Sequence, residues 1–379
     1  MQETNILFKI CMLIPTFPPH VIGGAQSSVM RLSVALKKNY DVEPWIMTMR
    51  FKDSATKEIR SGICIRRINC RGHSLGFFLG LPRLFQRNLK FIHVHTMFSP
   101  VIMAALARLV TRKHIVVKAP SGEQLITFFS RPTGQYLAKR IAGFIAITPE
   151  IVQVLLKFNV PEHKIWIIPN GIDTEEYSFV SPEMKKRLRE RLGIQKNSMM
   201  FSFVGRLVVE KDIPFLLKAW ALLPPRSNKD CLFIIGDGPQ REMLEKLSES
   251  LGITASVKFV GELEPSQVKD YVSASDGFLL TSKGEGMSNA LIEAMALGTP
   301  VIVSENAAVR TIVEHRHTGL RIKTKSELKN AILEIYQNKE LVKSMRQAAH
   351  RNVVDQFSIQ KIADLHMQMY QQILGEQRQ

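Results

Sequence analysis

Short apolar runs alternate with amphipathic stretches along the chain, the pattern of parallel strands joined by crossover helices. In the first half this predicts strands at 6–14, 42–49, 63–68, 91–95, 114–118, 143–148 and 164–168. A second series starts at 199–205 and continues through 231–236, 257–260, 277–281 and 300–304. Between the two, 174–197 is polar, charged and weakly periodic, and reads as the crossing between domains. The closing stretch, 358–374, sets Ile359, Ile362, Leu365, Met369 and Ile373 on one helical face and is long enough to reach back across a cleft. No short internal repeat is present.

A chain of 379 residues is too long for one ordinary core and suits two α/β domains. The expected division is 1–174, 175–357 and a terminal helix, 358–379. An apolar fraction of 45% with 22% charged residues describes a folded protein. The four cysteines (Cys11, Cys64, Cys70, Cys231) are scattered, with no CxxC and no histidine cluster at ligand spacing. That argues against a disulfide framework and a structural zinc site, and favours a reducing compartment. The first apolar run is short, broken by Lys9 and lacks a basic n-region, so a buried strand fits better than a signal peptide. No run of about 20 apolar residues exists to span a bilayer.

The formal charge is +17. Residues 37–90 hold 12 Lys/Arg against 4 acids, and an apolar cluster at 75–87, with Phe77, Phe78 and Phe85, carries Arg83 and Arg87. Such a cluster rimmed by arginine suits an anionic membrane surface; the alternatives are an ordinary core helix and a solvated basic face. Nucleic acid is disfavoured, because the basic residues are not interleaved with a recognisable binding motif.

The richest chemistry lies in 283–300. Glu285 sits in a glycine-flanked loop, Glu293 follows eight positions later in a helix, and Ser288 or Asn289 can cap that helix while Gly298 and Pro300 stop it. A strand, a glycine loop and a helix start make an anion site from backbone N–H groups and the helix dipole. Eight helical residues would span about 12 Å, which suits a diphosphate between two carboxylates. Gly205-Arg206 follows the first strand of the second series and Lys211 comes five residues later, so both cations fall at a strand's carboxyl end, where α/β sheets bind ligands. Arg206 can fork onto phosphate while Lys211 supplies a point charge. Gly23-Gly24 and Gly236-Asp237-Gly238-Pro239 each join a strand to a helix, yet neither is a dinucleotide fingerprint. Pro169-Asn170-Gly171-Ile172-Asp173 is a turn signature. His93 and His95 share a strand face and read as core or cleft-lining histidines. The chain has no Asp-x-Asp pair to hold a diphosphate-bound metal, so cofactor and metal are both expected to be none, with protein cations in the metal's place.

Together these residues resemble the GT-B glycosyltransferases of the large family 4, over most of the chain. The resemblance implies an α/β fold of two Rossmann-like doubly wound domains facing a central cleft. It implies that Arg206 and Lys211 hold the donor diphosphate, that Glu293 holds the ribose, and that Glu285 lies by the donor sugar. Gly205, Gly286, Met287, Ser288 and Asn289 would line the donor, Val260, Gly261 and Glu262 would lie by the base, and Gly23 and Gly24 would face the phosphates from the other domain. It also implies retention by a front-face route. One departure stands out: many members carry His-Gly where this chain has Ser121-Gly122, leaving His95, Lys118, Ser121 and Glu123 as candidates to orient the acceptor.

The expectation is therefore a cytoplasmic enzyme on the inner face of a membrane. It moves a hexose from a nucleotide-sugar, a UDP-sugar before GDP-mannose, to a polyprenyl-linked or cell-envelope glycan acceptor. A nucleotide-sugar 2-epimerase and a non-catalytic nucleic-acid or partner-binding protein are the alternatives.

Overall fold

In the computed structural model, which describes residues 8–19, 23–51, 54–70, 74–119, 121–195, 198–224, 230–284 and 287–375, the alternation resolves into two sheets. The side chains of 74–77 also lie outside the description. The first sheet contains β1 (Phe8–Leu13), β2 (Val42–Met49), β3 (Lys57–Arg60), β4 (Ile63–Ile68), β5 (Leu89–Val94), β6 (His114–Ala119), β7 (Gly143–Ala146) and β8 (Ile165–Ile167). Their order is β3-β4-β2-β1-β5-β6-β7-β8, parallel except for the antiparallel β3–β4 edge. The second contains β9 (Met200–Val204), β10 (Cys231–Ile235), β11 (Val257–Gly261), β12 (Gly277–Leu280), β13 (Val301–Ser304) and β14 (Leu320–Ile322). It is wholly parallel, in the order β11-β10-β9-β12-β13-β14.

The central strands are buried on both faces, which is why they read as continuous apolar runs rather than alternating ones. In each sheet the strand order reverses once, between β1 and β5 and between β9 and β12. Open α/β sheets bind ligands outside the strand ends at such a switch point.

Two strands escaped the pattern. β3 reads Lys-Glu-Ile-Arg on a sheet edge, polar because water covers it, and β14 is only three residues long. A third difference is the stretch 174–197, which is not merely a crossing. It contains the helix Pro182–Arg191, whose Lys185 and Arg189 meet Asp276 at 2.7 and 2.9 Å, while the same carboxylate accepts Met200 N at 2.9 Å. Burial works against ionising Asp276, yet Lys185 and Arg189 hold its carboxyl below the usual range. Charge that looks like a polar connector in sequence is an internal ion pair in three dimensions.

By contacts the chain divides into 1–171 with 359–379, and 172–358. The closing helix, Ile359–Gly375, belongs to the first unit and buries Ile362, Ala363, Met367, Met369, Tyr370 and Ile373 in its core. Each large apolar side chain removed from water there contributes about 2 kcal/mol. The helix Gly24–Asn39 flanks it, with Tyr40 donating a hydrogen bond to Asp364.

Candidate active site

The second unit's switch point is assembled by loop-to-loop hydrogen bonds. Gly205 N donates to Ile235 O at 3.0 Å and Leu207 N to Asp237 O at 2.9 Å, so the loops leaving β9 and β10 run side by side. They are packed so closely that a Cβ on Gly236, at φ +126°, would sit 2.1 Å from Gly205 O; no other residue fits. Across the switch point, Thr281 Oγ1 donates to Lys211 O at 3.0 Å, Lys283 N to Glu210 O at 2.9 Å, and Lys283 Nζ pairs with Asp212 at 3.0 Å. The β9 loop is thereby lashed to the β12 loop.

Arg206 is exposed on that edge. Lys211, half-buried, ends the turn Val209–Lys211, and its stem lies against Gly205. The helix Asn289–Ala296 starts beside the same strand ends. Ser288 is its N-cap residue, but its side chain makes no capping hydrogen bond, and the first turn contains no acid. The dipole at this start favours an anion.

Glu293 sits just over one turn in, half-buried, while Leu291, Ile292, Ala294 and Met295 turn into the core. Met287 and Ser288 are buried and Asn289 half-buried. Glu285 and Gly286 lie outside the described residues. Because the helix begins only at Asn289, a helical span of eight residues back to Glu285 does not exist; Asn289 to Glu293 rises about 6 Å. The helix ends as its sequence demands, with Gly298 left-handed at φ +68° and Thr299 N donating to Ala294 O at 2.9 Å.

Toward the sheet edge, Val260 is half-buried, Gly261 takes φ +87° and accepts Gly236 N at 2.7 Å, and Glu262 is exposed. Arg241 holds this corner, pairing with Asp237 at 3.0 Å and Glu245 at 2.9 Å and reaching Phe259 O at 3.4 Å. Sequence reasoning passed over Arg241, although its spacing of four from Glu245 in the helix Arg241–Ser250 is the signature of a helical ion pair. A cavity of about 700 Å³ elsewhere in this unit, walled in part by Arg310, Arg321 and Arg351, includes none of the expected site residues.

The first unit's switch point is built differently. Gly23 caps Gly24–Asn39 with extended backbone and no side-chain bond, and Gly24 is exposed. Gln26 braces the preceding loop through Thr16 Oγ1 at 2.9 Å. His95 is buried just beyond β5, its N donating to Leu13 O at 2.9 Å and its ring stacked on His93 at 4.1 Å. His93 Nδ1 shares a 2.7 Å hydrogen bond with Tyr370, and His366 Nδ1 donates to Ile362 O at 2.7 Å. The Nε2 atoms of all three histidines are buried without a partner.

Desolvation holds His93 and His95 well below the ordinary histidine range and His366 at about 3; nearby positive and imidazole groups push the same way. Lys118, bonded to Asn170 Oδ1 at 2.7 Å, is lowered by burial to about 8. Ser121 accepts Gln124 N at 3.3 Å as the N-cap of Gly122–Phe129, which gives the departing position a structural task, and Glu123 is exposed in that helix's first turn. His95 and Lys118 are thus brought together, whereas Ser121 and Glu123 sit at the following helix start. His366 and Tyr370 were not foreseen, since a sequence does not say which strand a remote helix will cover. Among the described residues no group of three or more His, Cys, Asp or Glu is arranged to hold a metal ion.

Two doubly wound units of this order define the class as a GT-B glycosyltransferase fold. HepE from Anabaena, solved with UDP and glucose, superposes with a TM-score of 0.81 over 96% of this chain and 100% of its own at 19% identity. The Glycosyltransferase Family 4 profile matches residues 22–176 and that of Glycosyl transferases group 1 matches 184–352. Alpha-monoglucosyldiacylglycerol synthase of Streptococcus pneumoniae is 30% identical over 349 residues, 86% of this chain and 78% of its own. The Acholeplasma laidlawii protein of the same name is 26% identical over 362 residues, 87% and 88%. The chain belongs to glycosyltransferase family 4 and is a glycosyltransferase.

Proposed function

We propose that the enzyme moves a hexose from a UDP-sugar to an acceptor carried by a lipid or by a cell-envelope glycan, with retention, at the inner face of an anionic membrane. The observation that carries the donor half is that the loop with Arg206 and Lys211 and the start of Asn289–Ala296, where Ser288 gives no side-chain cap, follow the two strands that flank one switch point. Two cations and a helix dipole suit a diphosphate leaving group. Glu293, one turn along, is the group to accept ribose hydroxyls. A UDP donor is supported by the complexes of HepE with UDP and glucose and with UDP-glucose. A lipid acceptor is supported by the two relatives named for monoglucosyldiacylglycerol.

In the proposed step the acceptor oxygen bonds to the anomeric carbon as that carbon's bond to the diphosphate oxygen breaks. The departing phosphate takes the acceptor's proton on the same face. Arg206 and Lys211 neutralise the developing charge in place of a metal ion. His95, Lys118, Ser121 and Glu123 remain the candidates to orient the acceptor; of these, Lys118, lowered to about 8, is still mostly protonated at neutral pH and can donate to an oxyanion or hydroxyl. The test is incubation of the protein with UDP-glucose and diacylglycerol or a polyprenyl phosphate in mixed micelles. A glucosylated lipid is expected, its α linkage read by NMR. UDP-glucose left intact, or converted to an isomerised sugar without transfer, would overturn the reading.

A further inference from the structure

The helix Ser99–Thr111 has its amphipathicity inverted on the solvent side. A surface helix normally turns charges outward. Here the outward positions are Ile102, Leu106, Leu109 and Val110, exposed at 37, 42, 62 and 72%, while Val101, Met103, Ala104, Ala105 and Ala107 fill the core. The four fall at i, i+4, i+7 and i+8, a single stripe. The turn Ser74–Phe85 packs alongside and adds Leu79, 64% exposed. The residues expected from sequence to form the membrane cluster are divided here, with Leu84 buried and Phe85 exposed, so the neighbouring helix supplies most of the apolar face.

The sequence around this stripe is rich in cations: from 59 to 149 the chain has 14 Lys/Arg and one acid, Glu123. Of these cations Arg67 is buried, Arg60 and Arg67 pair with Glu58, and Lys118 is turned to Asn170. Lys113 Nζ donates to Gln86 O at 2.9 Å and Leu89 O at 2.8 Å, which draws exposed Arg87, Lys90 and Arg112 to the end of the helix where Leu109 and Val110 project. Arg108 Nη1 donates to Lys113 O at 3.0 Å, and Arg140, lying over the Tyr136 ring at 3.9 Å, is near enough to act electrostatically on Arg108. A contiguous aliphatic patch is a poor partner for nucleic-acid phosphates and a good one for acyl chains. Cations around it add attraction to anionic headgroups.

We infer that this face of the first unit is a docking surface for an anionic lipid bilayer, with Ile102, Leu106, Leu109 and Val110 entering the headgroup boundary and Arg87, Lys90 and Arg112 contacting lipid phosphates. It rests on the lipid-acceptor reading only for the choice of partner. The experiment is co-sedimentation of the full chain with vesicles of phosphatidylcholine, with and without phosphatidylglycerol, beside a UDP titration of the same proteins. The wild type is expected to bind the mixed vesicles at least about tenfold more tightly, as charge attraction predicts. The double variant Leu109→Gln with Val110→Gln should lose at least about tenfold of that binding at every salt concentration, the scale of losing two buried aliphatic groups. Lys90→Gln with Arg112→Gln should lose it mainly at low salt. All four positions are exposed, so melting temperature and UDP affinity should not change. Three results would overturn the surface: wild-type protein remaining in the supernatant, the variant altered at Leu109 and Val110 binding as wild type, or a wild-type dimer that the same two substitutions dissolve. None of these would touch the UDP titration, and loss of UDP binding would not touch the vesicles.

Discussion

The two switch points share a topology and differ in where they keep their polar groups. At the end of β9 and β12, cations stand on loops outside the sheet, Arg206 exposed and Lys211 half in water. At the end of β1 and β5, His93, His95, His366 and Tyr370 are drawn inside and held neutral by burial, with Lys118 alone close to losing its proton. The difference teaches how one fold makes two kinds of site. Charge kept in the loops can meet an anion at little desolvation cost, whereas groups held neutral by burial offer an anion no such attraction. Anion affinity should therefore belong to the second unit and acid sensitivity to the first.

The largest effect expected is on turnover. Lys211→Ala and Glu293→Ala should each lower kcat/KM for a UDP-sugar by about 100- to 1,000-fold, roughly 3–4 kcal/mol, the scale of losing a preorganised charged contact in the transition state. Their melting temperatures should stay near wild type, and near-wild-type turnover in either variant would erase the contrast. Next comes Gly236→Ala, whose added carbon must push the β9 loop off the β10 loop. A loss of about 3 kcal/mol in urea unfolding is expected, with UDP binding falling in step; an unchanged midpoint would show that the loops do not depend on each other.

The acid response comes third. A histidine held below its unfolded value takes up protons in the unfolded chain first, so stability declines as pH falls below about 6.5 and keeps declining until the folded value, about 3 for His366, is reached. From about pH 6.5 to about pH 5 the loss from this one group is roughly 2 kcal/mol. His366→Leu should flatten the profile in part, since His93 and His95 act in the same direction; a profile identical to wild type would remove the first unit's side of the contrast. The smallest effect is Ser121→Ala, about 1 kcal/mol from the lost cap, with turnover unchanged.

Much of this contrast was legible on one side only. The residues proposed for the donor are local: Gly205 to Lys211 and Met287 to Glu293 each fall within one strand–loop–helix passage, so spacing alone aligned them with strand ends. The strands were legible because parallel strands buried on both faces leave unbroken apolar runs, and β3 was missed because its edge position makes it polar. The buried cluster could not be read, because it joins β5, β6 and a helix some 270 residues away, as in the 277-residue separation of His93 and Tyr370. Lys185 and Arg189 misled for the same reason: their partner, Asp276, is remote in sequence. Likewise, Ile102 to Val110 looks like an ordinary core helix until the structure shows which face is left bare.

Calorimetric titration of UDP into wild type, Lys211→Ala and His366→Leu near neutral pH separates the two switch points most directly. Wild type and His366→Leu should bind alike, while Lys211→Ala should weaken binding by at least about tenfold, 1.4 kcal/mol. Equal affinity in Lys211→Ala and wild type, or a loss confined to His366→Leu, would contradict the assignment of the diphosphate to the β9 and β12 loops.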